Sequence, residues 1–315
     1  MNRLPTAGDR ILVVGDIVTD VVAVLDAPLL AGSDAAARIT VTGGGAGANT
    51  AAWLASRGAP VTLCGVVGAD ATGEARLSEL IGAGVDLAVR EAAEATTGSI
   101  VVLAERSERT FVTDRGANLL LSEADVSGAI AGVPDLVHVH VSGYPLLDDR
   151  SRAAGRHALA LALRKGMTTS VDAASAGPLR LAGGAAFLSW VRGCHVLFAN
   201  VDEAEALLGE ASSVAPADEL AARVATAVAG GAHDPIVVVK LGRDGAVAAT
   251  AAGLVVSVPA VHAETVDPTG AGDAFAAGFL MSWRAGGDLT EALQDGAQLG
   301  ALATATVGAR PPVLY

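Results

Sequence analysis

Apolar residues come in short continuous runs, and each run stops at a glycine or a charged turn. The stretch Arg10-Ile-Leu-Val-Val-Gly-Asp-Ile-Val-Thr-Asp20 opens with four apolar residues and ends its run at Gly15-Asp16. Such a run fits a strand buried on both faces of a parallel sheet. Similar runs predict strands over 59–67, 136–141, 168–172, 196–199, 235–240 and 246–251. Helical periodicity or alanine-rich composition predicts helices over 50–57, 70–81, 150–165, 202–208 and 216–229. Pro216 suits the first turn of its helix, where a missing N–H is no loss. Strands alternating with helices imply a parallel sheet covered on both faces. Two stretches break the alternation. Residues 21–25 and 36–42 alternate weakly with no helix between them, and residues 99–104 and 110–113 form a hairpin around the charged turn 105–108. The expected architecture is therefore one α/β domain over 1–315, with a small β flap formed by roughly 17–42 and 98–119.

Two glycine turns interrupt this pattern where a helix is about to begin. The second is Val266-Asp-Pro-Thr-Gly-Ala-Gly-Asp273, followed by an apolar run to Trp283. Glycine at 270 and 272 lets the backbone approach a ligand closely. The amides of residues 270–273 then lie at a helix N-terminus, unpaired and favourable to an anion. An acid beside a bound anion has two readings. Asp273 either caps the helix or takes a proton from a hydroxyl that attacks a phosphoryl group. The first turn, Gly43-Gly-Gly-Ala-Gly-Ala-Asn49, leads into an alanine-rich helix and places a polar Asn49 near its start. It also satisfies the loose dinucleotide fingerprint, but that fingerprint belongs at the first strand, which here ends in Gly15-Asp16.

Further polar groups sit where strands end, the usual position for ligands in α/β sheets. Asp16 and Asp20 follow the first strand. Asn200-Val-Asp-Glu203 offers either a water-mediated Mg²⁺ motif or a helix cap with an acidic first turn. Lys240-Leu-Gly-Arg-Asp-Gly245 is either a nucleotide-side turn or a plain hairpin turn. His138 and His140 share one strand face, as a metal pair or as buried histidines. Tyr144 either lines a pocket or packs in the core, and Trp53, Trp190 and Trp283 read as core.

Composition narrows the choice. The 315 residues are 51% hydrophobic and carry no run near the ~20 apolar residues of a membrane span. Cys64 and Cys194 are isolated in apolar runs, which suggests a reduced, cytoplasmic protein without a disulfide framework. A net charge of −13 argues against nucleic acid as the partner. It leaves room for a small phosphate ligand held by backbone amides.

Gly44-Gly45-Ala-Gly-Ala-Asn49 and Asp267-Pro-Thr-Gly-Ala-Gly-Asp273-Ala-Phe, with Asn200-x-x-Glu203 between, resemble the ribokinase-like (PfkB) carbohydrate kinase family over nearly the whole chain. The resemblance implies a three-layer αβα sandwich and a β lid that closes over a sugar and pairs subunits in some members. It implies phosphorylation of a primary hydroxyl on a sugar or nucleoside by ATP with Mg²⁺. Asp273 then matches the catalytic base, and the amides of Gly270, Ala271 and Gly272 match the anion hole. Asp20, Gly45 and Asn49 match sugar contacts, with Arg115 in the flap return as a further one. Asn200 and Glu203 match the Mg²⁺–phosphate motif, and Lys240, Gly242 and Gly245 match the nucleotide-side turn. Asp267 and Thr269 fall where some members hold a monovalent cation such as K⁺. No Gly-x-x-x-x-Gly-Lys-[Ser/Thr] occurs, so no P-loop holds the ATP. Ribokinase itself has Asn at Val18, Lys at Ala46 and Glu near Ser142, which puts ribose in doubt. A non-catalytic sensor of the same fold is the rival reading from another class.

Overall fold

The computed structural model describes residues 9–29, 32–105, 108–210 and 215–312. In chain order, β1 (Arg10–Val14), β2 (Val18–Leu25) and β3 (Ala37–Gly44) lead into α1 (Ala46–Ser56). Then come β4 (Val61–Gly68), α2 (Ala71–Gly82), β5 (Asp86–Ala92), β6 (Gly98–Glu105) and β7 (Glu108–Asp114). A 3₁₀ turn at Gly116–Leu120 precedes α3 (Glu123–Gly132), β8 (Leu136–Val141), α4 (Tyr144–Leu147) and α5 (Arg152–Arg164). The chain continues through β9 (Thr168–Asp172), α6 (Ala176–Ala182), α7 (Gly184–Trp190), β10 (Val196–Asn200), α8 (Val201–Leu208) and α9 (Ala217–Val228). It ends with β11 (Ile236–Lys240), β12 (Ala246–Thr250), β13 (Val255–Val258), α10 (Ala271–Arg284) and α11 (Leu289–Thr304).

A nine-stranded sheet has the order β13-β12-β11-β10-β9-β8-β1-β4-β5. From β5 to β11 all pairs are parallel, and β12 pairs antiparallel with both β11 and β13. Buried apolar residues lie on both faces: α3, α5, α8 and α9 cover one, and α1, α10 and α11 the other. The carboxyl ends of β1, β8, β9, β10 and β11 therefore open along one rim. A separate four-stranded sheet, β3-β2-β6-β7, is the expected flap. Its hairpin turn holds residues 106 and 107, which lie outside the described residues.

Some boundaries moved. α1 starts at Ala46, four residues early, because Gly45 itself is the cap at φ 98°. Pro216 is the residue before α9 and not part of its first turn. β5, α3 and α11 had no predicted counterpart, although the apolar positions of α11 (Ala292, Leu293, Gly296, Leu299, Gly300 and Ala303) recur at helical spacing.

Candidate active site

The site gathers where β9 and β11 end under the start of α10. Gly270, at φ 77°, caps α10, and a Cβ there would stand 2.4 Å from the Ala309 carbonyl oxygen. Asp273 is thus the third residue of the helix, and the capping reading fails: its side chain makes no cap. Ala271 turns its amide back onto the Pro268 carbonyl at 3.3 Å. Among the described residues, the amides of Gly272 and Asp273 have no backbone acceptor. Of the expected 270–272 set, Ala271 is thus turned away, while Gly272 and the adjoining Asp273 keep open amides. Lys240 stands over it: a Cβ on Gly272 would be 3.1 Å from Lys240 Nζ. Two free amides and an ammonium converge on one spot.

Asp273 reaches away from its own helix. Its Oδ2 accepts a hydrogen bond from Asn49 Nδ2 at 2.8 Å, joining the two glycine turns. Burial pushes its carboxyl up to about 8; the Asn49 bond and Lys240 pull it down, and Asp172 raises it further. A carboxyl poised near neutrality is what general-base chemistry needs. Lys240 Nζ donates to Asp172 Oδ2 at 2.7 Å. Burial draws Lys240 down, but Asp172 and Glu203 outweigh it and hold the ammonium above its ordinary value. Asp172 was not anticipated from the sequence. Its place at the end of β9 was the available signal.

On the acceptor side, Asp20 is buried and lies on Gly44, whose added Cβ would meet Oδ2 at 2.1 Å. Burial raises its carboxyl to about 6, with Asp16 adding to the shift and Arg310 and Arg76 opposing it. Gly45 faces the Asp16 carbonyl, 2.5 Å from where a Cβ would be. Asp16 Oδ1 accepts from the Gly47 amide at 3.2 Å and the Ser142 hydroxyl at 3.1 Å. Arg115 Nη1 bonds Asp16 Oδ2 at 3.1 Å, and its guanidinium carbon lies 3.7 Å from the Tyr144 ring centroid. Arg115 thus reaches the acceptor wall through Asp16.

Asn200 and Glu203 form a reciprocal cap on α8: Asn200 accepts from the Glu203 amide at 2.8 Å, and Glu203 accepts from the Asn200 amide at 2.8 Å and Nδ2 at 2.9 Å. The local capping reading is realised, and the ligand reading survives beside it. Burial raises Glu203 to about 7, Lys240 lowers it and Asp172 raises it. A buried carboxylate pair, Glu203 with Asp172, fits a divalent cation held through water. Gly242 and Gly245 shape the β11–β12 turn, where Leu241 donates to the Gly245 carbonyl. That turn borders a cleft of about 410 Å³, walled by Val261, Phe275, Ala297 and Ala301, that ends at Gly272 and Lys240. An apolar slot leading to free amides and a lysine fits a nucleotide with its phosphates inward. Asp267 accepts from the Thr269 amide at 2.9 Å and the Gly308 amide at 3.1 Å. His138 and His140 are buried and share Ser170 as partner, and no cluster of three metal-binding side chains occurs among the described residues. They are core groups.

Residues 9–314 match the pfkB family of carbohydrate kinases. The chain belongs to that family. An ATP-dependent ribose-1-phosphate kinase from Halopiger xanaduensis is 32% identical, over 96% of this chain and 94% of its own. The adenosine kinase of Sinorhizobium meliloti superposes with a TM-score of 0.82 at 25% identity, covering 97% of this chain and 96% of that one. A structure from E. coli in complex with ATP and Mg²⁺ superposes with a TM-score of 0.81 at 24% identity, covering 96% and 94%. This pfkB protein is an ATP-dependent kinase of sugars or nucleosides. No helix among the described residues is long and apolar enough to cross a membrane.

Proposed function

We propose that Asp273 is the general base that deprotonates a primary hydroxyl of the acceptor, and that the adjoining cradle steadies the phosphoryl group it attacks. One observation carries the reading: a half-buried acid with its carboxyl raised to about 8 stands beside two free amides and an ammonium. Asn49 orients the carboxylate, and Asp20 and the Gly44–Gly45 backbone hold the acceptor so that its hydroxyl faces Asp273. The Gly272 and Asp273 amides and Lys240 take up charge that grows on the phosphoryl oxygens. Glu203 and Asp172 would hold magnesium through water, and it would supply charge neutralisation to the triphosphate. Asp172 keeps Lys240 charged and aimed. The Asp267–Thr269 turn is the position for a monovalent cation, which would act on the cradle through Gly270.

The small sheet is the lid of the acceptor pocket, formed by roughly 17–42 and 98–119 of one 1–315 domain. Closing it excludes water, the competing acceptor. Its register puts Ile39, Val41, Val101 and Val112 on one face, all exposed. That face fits a second copy of this chain. An ATP donor and two buried free cysteines fit a cytoplasmic setting. The test is ADP release over a panel of sugars and nucleosides with and without K⁺. Turnover of at least one acceptor is expected. Nucleotide binding with silence across the panel turns the assignment to a sensor.

A further inference from the structure

Beyond Asp16 lies a second chamber that the phosphoryl chemistry does not use. It encloses about 190 Å³ and its walls are mostly apolar: Leu119, Leu121, Tyr144, Pro145, Leu147 and Pro178. Pockets that enclose a whole drug-sized ligand run from ~300 Å³ upward. This one has room for part of a ligand. It adjoins the acceptor side at Gly15 and Asp16: Asp16 Oδ1 accepts from the Gly47 amide at 3.2 Å, and in the same turn Asn49 Nδ2 donates to Asp273 Oδ2 at 2.8 Å. A molecule with its hydroxyl at Asp273 therefore has its far end directed at this chamber.

The lining has three charged groups, and each is already answered. Arg115 bonds Asp16, and Asp148 pairs with Arg150 at 3.1 Å. The polar groups are committed too. Asn118 holds the Ile17 amide and carbonyl, and Ser151 donates to the Pro145 carbonyl. A phosphate entering here meets two carboxylates against one guanidinium whose charge Asp16 already balances. Burying such a charge without a free partner is expensive. A flat, neutral group meets apolar walls and the Arg115–Tyr144 stack, whose guanidinium has further N–H groups to offer a ring acceptor.

We infer that the preferred acceptor is a nucleoside-like molecule, a sugar whose neutral heteroaromatic substituent lodges between Leu119, Leu147 and the Arg115–Tyr144 stack. This rests on the kinase reading above and narrows its substrate. Free sugars leave the chamber empty, and sugar 1-phosphates present the wrong charge to it.

The experiment compares initial rates of ADP release with Mg²⁺ and ATP for ribose, ribose 1-phosphate, adenosine, cytidine and uridine. At least one nucleoside should exceed both ribose and ribose 1-phosphate in kcat/KM by about 10-fold or more, the scale on which one pocket contact discriminates. Filling the chamber with Leu119→Trp or Leu147→Trp should lower the nucleoside-to-ribose ratio by a similar factor; if one variant proves unstable, the other serves. Ribose 1-phosphate or free ribose matching the best nucleoside overturns the inference while the kinase stands. So does a ratio that neither well-folded tryptophan variant moves. Loss of all turnover in the wild type fails the kinase reading itself.

Discussion

At the scale of single residues, Asp273 as the proposed base would set the pH profile through its protonation. The reacting form would be the carboxylate, and burial raises its pKa to about 8. In the free enzyme kcat/KM should rise with pH through that midpoint and level off above it. The folded pKa is raised above the unfolded value of 3.8. The native state therefore keeps a proton that the unfolded chain has lost, and stability drawn from it is lost as pH climbs towards 8. Asp273→Asn should cut turnover by ~10²–10⁴-fold with nucleotide binding retained. The same variant should melt higher than wild type at pH 9, with the gap closing towards pH 6, as thermal scans would read. Near-normal turnover in the variant would remove Asp273 from the role. The sequence made this residue a candidate, because two glycines and an acid ahead of an apolar run leave a helix cap or a base as its readings. Asp172 escaped it, since an aspartate at a strand end has no local signature until Lys240 is seen 2.7 Å away.

At the scale of elements, the N-terminus of α10 works through which glycine stands where. Gly270 holds φ at 77° and abuts Ala309, so Gly270→Ala strains the backbone by ~1–3 kcal/mol and clashes as well. It should lower Tm clearly. Gly272 lies inside the helix and its added methyl meets only the tip of Lys240, at 3.1 Å. Gly272→Ala should fold with little change in Tm yet raise the KM for ATP by about tenfold, ~1.4 kcal/mol, because methyl and ammonium then crowd the cradle. Circular dichroism and steady-state kinetics on the pair separate the two roles; equal loss of fold in both would reject the division. The buried strands β1, β8 and β9 were readable from their apolar runs. β5, Asp-Leu-Ala-Val-Arg-Glu-Ala at the sheet edge, was not, because Asp86, Arg90 and Glu91 cut its apolar run to three residues. α8 shows why a local motif stays ambiguous: Asn200 and Glu203 cap the helix, while Glu203 is also close enough to Lys240 and Asp172 to feel both charges.

Over the whole molecule, the site depends on contacts far apart in sequence. Asn49 and Asp273 are 224 positions apart, and α1 packs on α10 to bring them together. The segment after α11 straps both glycine turns: Gly308 donates to Asp267, Trp53 donates to the Ala309 carbonyl, and Arg310 Nη2 donates to the Gly44 carbonyl. Nothing in the sequence announced that strap, since backbone carbonyls carry no residue identity. The lid raises the last question at this scale, because a four-stranded sheet with two polar edges and an apolar face is poor company for water. Ile39 is 64% exposed, Val41 59% and Val112 57%, all on the face that Val101 shares. Contact with the matching face of a second copy would hide that area from solvent and hold the lid over the pocket. Ile39→Glu with Val112→Glu puts like charges across such an interface, at positions where an isolated chain would feel ~0.5 kcal/mol or less. Light scattering should report a dimer for the wild type and a monomer for the double variant. The monomer should keep its Tm near that of wild type at low concentration but show a raised KM for the acceptor, because a lid without its partner closes less often. A wild type that stays monomeric at tens of micromolar, or a variant that still dimerises, would leave this face without the second copy.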